Sequence, residues 1–86
     1  MFKVEWEKKA LKQLMKLKNK IMANKIRLAV KDELPEFQKS KNVKALKNHD
    51  YEYRLRVGDF RVFFNVNDEI EIVFIEEVKK RDERTY

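Results

Sequence analysis

The chain has no cysteine, one glycine, one proline and one histidine in 86 residues. Without cysteine there is neither a disulfide framework nor a thiolate metal site, and nothing points to an oxidising compartment. A single glycine rules out the phosphate-cradling and dinucleotide-binding loops, which each need several. No apolar run reaches the ~20 residues that span a bilayer. The opening MFKVEWEKKALKQ also lacks the apolar centre of a signal peptide, so a cytoplasmic protein with no membrane association is expected. Scarce Gly and Pro leave little room for a linker, and the length suits a single domain over residues 1–86. The acids Glu5, Glu7, Asp32, Glu33, Asp68, Glu69, Glu71, Glu76 and Glu77 are scattered over several segments or flank turns, so neither a metal nor a cofactor is expected.

What the chain does have is charge. Lys and Arg number 21 against 15 Asp and Glu, a formal net charge of +6, and this basic balance in so short a chain points to nucleic acid or an acidic partner. Charged residues make up 42% of the chain, but they alternate with apolar ones at regular spacings, the pattern of a folded surface.

Phe2, Val4 and Trp6 alternate with Lys3 and Glu5, which predicts a short strand. From Glu7 the period changes: Ala10, Leu11, Leu14, Met15, Leu17, Ile21 and Met22 fall at helical spacing, with Asn19 or Asn24 as punctuation. A second helical stretch carries Ile26, Ala29, Val30 and Leu34, and Pro35 should end it near Glu33 or Leu34. The two form an antiparallel helical pair whose lysines read most simply as a solvated face. The following polar connection holds an apolar island at Val43, Ala45 and Leu46 that begins the next strand, a set of lysines including Lys47, and a turn at Asn48-His49-Asp50.

The clearest pattern is YEYRLRVGDFRVFFNV, residues 51–66. Tyr51, Tyr53, Leu55 and Val57, then Phe60, Val62, Phe64 and Val66, alternate with polar or outward positions. Gly58-Asp59 between them suits a two-residue type II′ turn. That turn pairs Val57 with Phe60, Arg56 with Arg61, Leu55 with Val62 and Arg54 with Phe63. Two arginines then stand opposite each other on the outer face, where like charges repel, and an anion belongs between them. A turn at Asn67-Asp68-Glu69 leads into a third strand. A three-residue turn would pair Val66 with Ile70, Phe64 with Ile72 and Phe63 with Val73, leaving Phe63, Val73 and Ile75 on the outer face beside Arg54, Arg56 and Arg61. The fold class expected is therefore α+β: a strand, a two-helix hairpin and a three-stranded antiparallel meander (βααβββ), ending in a short basic tail.

Guanidinium groups bind phosphate through paired donors and stay charged at neutral pH, and Phe63 and Tyr86 offer flat faces for unpaired bases. Arginines interleaved with aromatics suit single-stranded RNA, with or without catalysis. The element order, together with YRLRVGDFRVFF at 53–64 and KRDERTY at 80–86, resembles the RelE/ParE toxin superfamily of type II toxin–antitoxin systems over essentially the whole chain. The resemblance to the RelE branch implies a ribosome-dependent mRNA endonuclease. Such a toxin cuts in the ribosomal A site without a metal, by attack of the RNA's own 2′-hydroxyl to leave a 2′,3′-cyclic phosphate. It also implies a cognate antitoxin, in a heterodimer or heterotetramer. By the same resemblance Arg61 stabilises the transition-state phosphate, Arg81 serves the leaving 5′-oxygen, Tyr86 stacks on a base and Arg54 contacts phosphate. Arg56, Phe63, Lys47, Lys80 and Arg84 are RNA-binding candidates. The chain departs from the pattern at Glu52, where RelE has a lysine, and a guanidinium at Arg54 is too basic to accept a proton readily. Glu52 and His49 are thus the candidate general bases, while Glu52 as a mere neutraliser of Arg54 is the simpler reading. The alternatives are a ParE-like inhibitor of DNA gyrase with the same fold, and a non-catalytic RNA- or ribosome-binding module.

Overall fold

A computed structural model describes residues 1–81 of the chain. Its elements are β1 (Lys3–Trp6), α1 (Lys8–Met15), α2 (Lys20–Glu33), a 3-10 segment (Leu34–Lys39), β2 (Val43–Ala45), β3 (Tyr53–Val57), β4 (Phe60–Asn67) and β5 (Ile72–Lys80). The strands form one sheet in the order β1-β5-β4-β3-β2. All neighbours are antiparallel except β1 and β5, which run parallel.

The helical pair breaks at Asn19, whose side-chain oxygen accepts from the Met22 N–H at 3.0 Å and so caps α2. Ile21 and Met22 therefore belong to the second helix. Pro35 ends α2 at Glu33, as its restriction on the preceding residue requires, and the chain continues as 3-10 turns. Ala10 and Leu14 of α1, Ile26 and Val30 of α2, and Leu34 and Phe37 pack on Leu55, Val57, Val62, Phe64, Val73, Ile75 and Val78 of the sheet. Phe37 is the aromatic hub, its ring meeting Phe2, Tyr53 and Phe64 at 5.0–5.7 Å in edge-on geometry.

The β3–β4 ladder has the register expected from the sequence, Arg54↔Phe63, Leu55↔Val62, Arg56↔Arg61 and Val57↔Phe60. Gly58, at φ +57°, is the one residue of its turn in the left-handed region. The β4–β5 register corrects the expectation. The turn is longer: Asn67 Oδ1 accepts from the N–H groups of Glu69 and Ile70, Glu71 takes φ +54°, and the strands close on Asn67↔Ile72. Val66 pairs with Val73 and Phe64 with Ile75, an odd shift that sends Val73 and Ile75 into the core, while Ile70 lies at the turn, 57% exposed.

The phase changes again within β5. Phe64 pairs with Ile75 but Phe63 pairs with Glu77, so Glu76 is an extra residue, a β-bulge. Before it the odd residues face the helices; after it Val78 does, and Glu77, Lys79 and Arg81 face outward with Arg61. β1 ends at Trp6↔Ile75, so from the bulge onward β5 is a free edge, and α1 covers it. Gln13 Oε1 accepts from the Val78 N–H at 2.6 Å, taking up the edge donor where the strand partner has stopped. No helix among the described residues is long and apolar enough to cross a membrane.

Candidate functional site

The face of the sheet away from the helices carries the charge. Lys44↔Arg54 in the β2–β3 ladder and Arg56↔Arg61↔Lys79 across β3, β4 and β5 set two rows of cations side by side. At the hairpin end of this face Arg54, Arg56, Gly58, Asp59, Phe60, Arg61 and Arg81 line a cleft of about 110 Å³. The structure thus brings together four arginines from β3, β4 and the residue after β5. Arg81 is held there by its own backbone, whose N–H donates to the Asp59 carbonyl at 2.6 Å and ties the end of β5 to the Gly58–Asp59 turn.

No ion pair to any of these arginines exists among the described residues, where the pairs found are Lys9–Glu77 and Lys39–Glu36. Burial pushes the Arg54 pKa below the ordinary arginine value, and the positive charges of Arg61, Arg56 and Arg81 push it the same way. Like charges so arranged with no counterion are strained until an anion enters. Guanidiniums donate and do not ligate metals, so the donor set fits a phosphate and repels a divalent cation. No group of three or more His, Asp or Glu that could hold a metal occurs among the described residues.

Other candidates fall elsewhere. Glu52 shares the outer face, but its Oε1 accepts from the Val66 N–H at 2.8 Å while its own N–H donates to Asn65 Oδ1 at 2.8 Å. These two bonds continue the β3–β4 pairing past the end of the ladder. Glu52 lines a separate depression with Asp50, Asn65, Phe74 and Glu76, and makes no ion pair with Arg54 among the described residues, so the expectation that it neutralises Arg54 is corrected. Phe63 lies beside Arg54 but is only 6% exposed, because the His49 ring stacks over it at 5.0 Å and Tyr51 flanks it at 5.7 Å. The open aromatic face expected at Phe63 is covered. His49 Nδ1 accepts from the Tyr51 N–H at 3.1 Å.

Lys47 is exposed in the bend preceding β3 and does not line the cleft. Lys80 is the partner of Phe60 and takes the helix-side phase, so it lies across the sheet from the arginines. Arg84 and Tyr86 lie outside the described residues. The sequence placed Lys79 in the basic ending, with no ladder partner, and Asp59 in the hairpin turn, with no role beyond it. A register that included the bulge would have found the first, and the tight turn facing the end of β5 would have found the second.

The sequence profile of the family described as ParE toxin of type II toxin-antitoxin system, parDE, matches residues 4–85. No curated protein matches the chain in sequence. Among solved structures, the isolated RelE toxin of Escherichia coli superposes with a TM-score of 0.77 at 18% identity, covering 99% of this chain and 89% of that one. A chain of the archaeal RelE–RelB complex from Pyrococcus horikoshii gives 0.65 at 26% identity, with 95% and 97% covered. One from the RelBE2 toxin–antitoxin complex of Mycobacterium tuberculosis gives 0.69 at 22%, with 93% and 98% covered. With the RelE fold and a profile match over nearly its full length, the chain belongs to the ParE toxin family of type II toxin–antitoxin systems, within the RelE/ParE superfamily.

Proposed function

We propose that this toxin is a ribosome-dependent mRNA endonuclease that cuts in the A site without a metal ion. The observation that carries the reading is the convergence of Arg54, Arg56, Arg61 and Arg81 on one cleft with no paired carboxylate among the described residues. In the proposed reaction the 2′-oxygen attacks the adjacent phosphorus, a P–O bond forms and the P–O5′ bond breaks, giving a 2′,3′-cyclic phosphate and a 5′-hydroxyl. Arg61 and Arg54 stabilise the charge that grows on the non-bridging oxygens, Arg56 holds a flanking phosphate, and Arg81 faces the leaving oxygen. Tyr86 would stack on and orient a base. The proton from the 2′-hydroxyl passes to water and the leaving 5′-oxygen takes one from water, since Glu52 lines a separate depression outside the arginine cleft and His49 Nδ1 already accepts a backbone N–H. Rate then comes from in-line positioning and charge stabilisation, which a rigid arginine cluster supplies.

The partner proposed is a cognate antitoxin with acidic helices, in a heterodimer or heterotetramer, and the location proposed is the cytoplasm, where ribosomes are. RelE–RelB complexes of similar fold support the partner, and so does the unneutralised basic face. The test is toe-printing during in vitro translation with wild type, Arg61→Ala and Arg81→Ala. A-site cuts by the wild type, lost in both variants, are expected; no cuts by the wild type would overturn the reading.

The description of the matching family as ParE toxins favours a second reading, inhibition of DNA gyrase by the same fold. Supercoiling assays separate the two: inhibition at low toxin concentration, with no mRNA cleavage, would select it.

A further inference from the structure

We propose that the His49–Phe63 stack is a platform for one base of single-stranded RNA, placed so that a neighbouring phosphate falls in the arginine cleft. The proposal rests on the endonuclease reading and names where that site holds its substrate. His49 is exposed, and its ring lies 5.0 Å from the Phe63 ring at an interplanar angle of 17°. Tyr51 buttresses both, at 5.8 Å from His49 and 5.7 Å from Phe63. The hydrogen bond from the Tyr51 N–H to His49 Nδ1 fixes the plane of the imidazole, so a base meets a surface already oriented.

Position joins the stack to the cleft. Phe63 is the ladder partner of Arg54 and lies two residues from Arg61 on the same face, about 7 Å along the strand. A nucleotide spans that interval from its base to its phosphate. An acidic peptide would satisfy the arginines but does not carry a ring at a fixed interval from each anion, and inorganic phosphate fills only the cleft.

The same bond separates stacking from acid–base chemistry at His49. With Nδ1 accepting from Tyr51, the neutral ring carries its proton on Nε2, and neither nitrogen offers a lone pair to a 2′-hydroxyl. What the ring presents outward is its face. A substitution that keeps a flat ring and removes both nitrogens should therefore preserve its role.

The experiment uses the full-length toxin and a short single-stranded RNA carrying 2-aminopurine, 2′-O-methylated at every sugar to prevent cleavage. Quenching of the probe by wild type is expected. His49→Ala should weaken binding about 5- to 150-fold, the range of one stacked base, while His49→Phe and His49→Trp stay near wild type. An abasic version of the probe should bind wild type and His49→Ala alike. In translation assays His49→Phe should retain A-site cleavage, and His49→Ala should raise KM more than it lowers kcat. Unchanged binding in His49→Ala, equal binding of abasic and base-bearing probes, or loss of binding in His49→Phe with its melting temperature retained would each overturn the platform. A-site cleavage alongside any of these leaves the endonuclease reading standing. Base-dependent quenching without A-site cleavage would overturn that reading and keep the platform.

Discussion

Arg56 and Arg61 are ladder partners on the outer face of the β3–β4 hairpin, and neither has an ion-pair partner among the described residues. Facing like charges cost about 0.2–1 kcal/mol relative to neutral neighbours, a cost the fold bears in order to hold a cationic cleft.

Arg56→Gln should therefore raise the stability of the free toxin by about 0.2–1 kcal/mol, read from urea unfolding. Arg61→Gln should do the same, yet lower the cleavage rate by about 10²–10³-fold, the usual loss for one donor to transition-state charge. A fall in stability for both variants would mean that the pair is not strained.

Anions should relieve the cluster in the wild type. Because burial and then the neighbouring arginines depress the Arg54 pKa, its charged form is disfavoured in the fold. Sulfate or phosphate at matched ionic strength should raise Tm above its value in chloride. A double Arg54→Gln, Arg61→Gln variant should lose much of that difference, as differential scanning fluorimetry would record.

Gly58→Ala should destabilise the hairpin by about 1–2 kcal/mol, the cost of a left-handed conformation to a residue with a Cβ. The added Cβ would also sit 3.1 Å from Met22 Cε, the mobile end of a side chain that can give way, so the backbone term dominates. Since Asp59 anchors Arg81, cleavage should fall by more than the unfolded fraction explains.

Gln13→Leu should leave the Val78 N–H without an acceptor and cost about 1–3 kcal/mol. Amide exchange at Val78 should accelerate more than at Val62 in the strand centre. Equal acceleration at both sites would indicate global unfolding and no local role for Gln13.

Alkaline pH should reveal Tyr51. Burial and the nearby Glu77 carboxylate raise its pKa above the ordinary tyrosine value, so the fold favours the neutral phenol. That stabilisation is fully present below the unfolded pKa of about 10 and is lost as pH rises through the folded value. Tyr51→Phe should flatten the decline in Tm between about pH 9 and 11.

Much of the architecture was readable in the chain. Gly58-Asp59 between two alternating runs determined the hairpin register, and with it the Arg56–Arg61 pair. Pro35 ended α2 where its steric restriction demands, and the stop in helical periodicity near Asn19 became a cap. These features are local, set by turn geometry and by neighbours a few residues away. Phe63 was misread because period-two alternation assigns a face and not what covers it; the cover comes from His49 and Tyr51 in the preceding bend. Glu52 was misread for a related reason, since its partner Val66 is 14 residues distant.

The fate of the arginine pair shows where local information ends. Composition and alternation alone determined a basic hairpin that needs an anion. Whether Arg81 joins it depends on the phase of β5, which the longer turn after Asn67 shifts and the bulge at Glu76 shifts back. Neither leaves a period in the sequence, because a bulge is stabilised by what lies beside it in space. Here that is the end of the parallel β1 pairing at Ile75 and the side chain of Gln13, 65 residues earlier, on the Val78 N–H. Tertiary packing thus decided which side of the sheet Lys79 and Arg81 face, and so turned a charged hairpin into a four-arginine cleft.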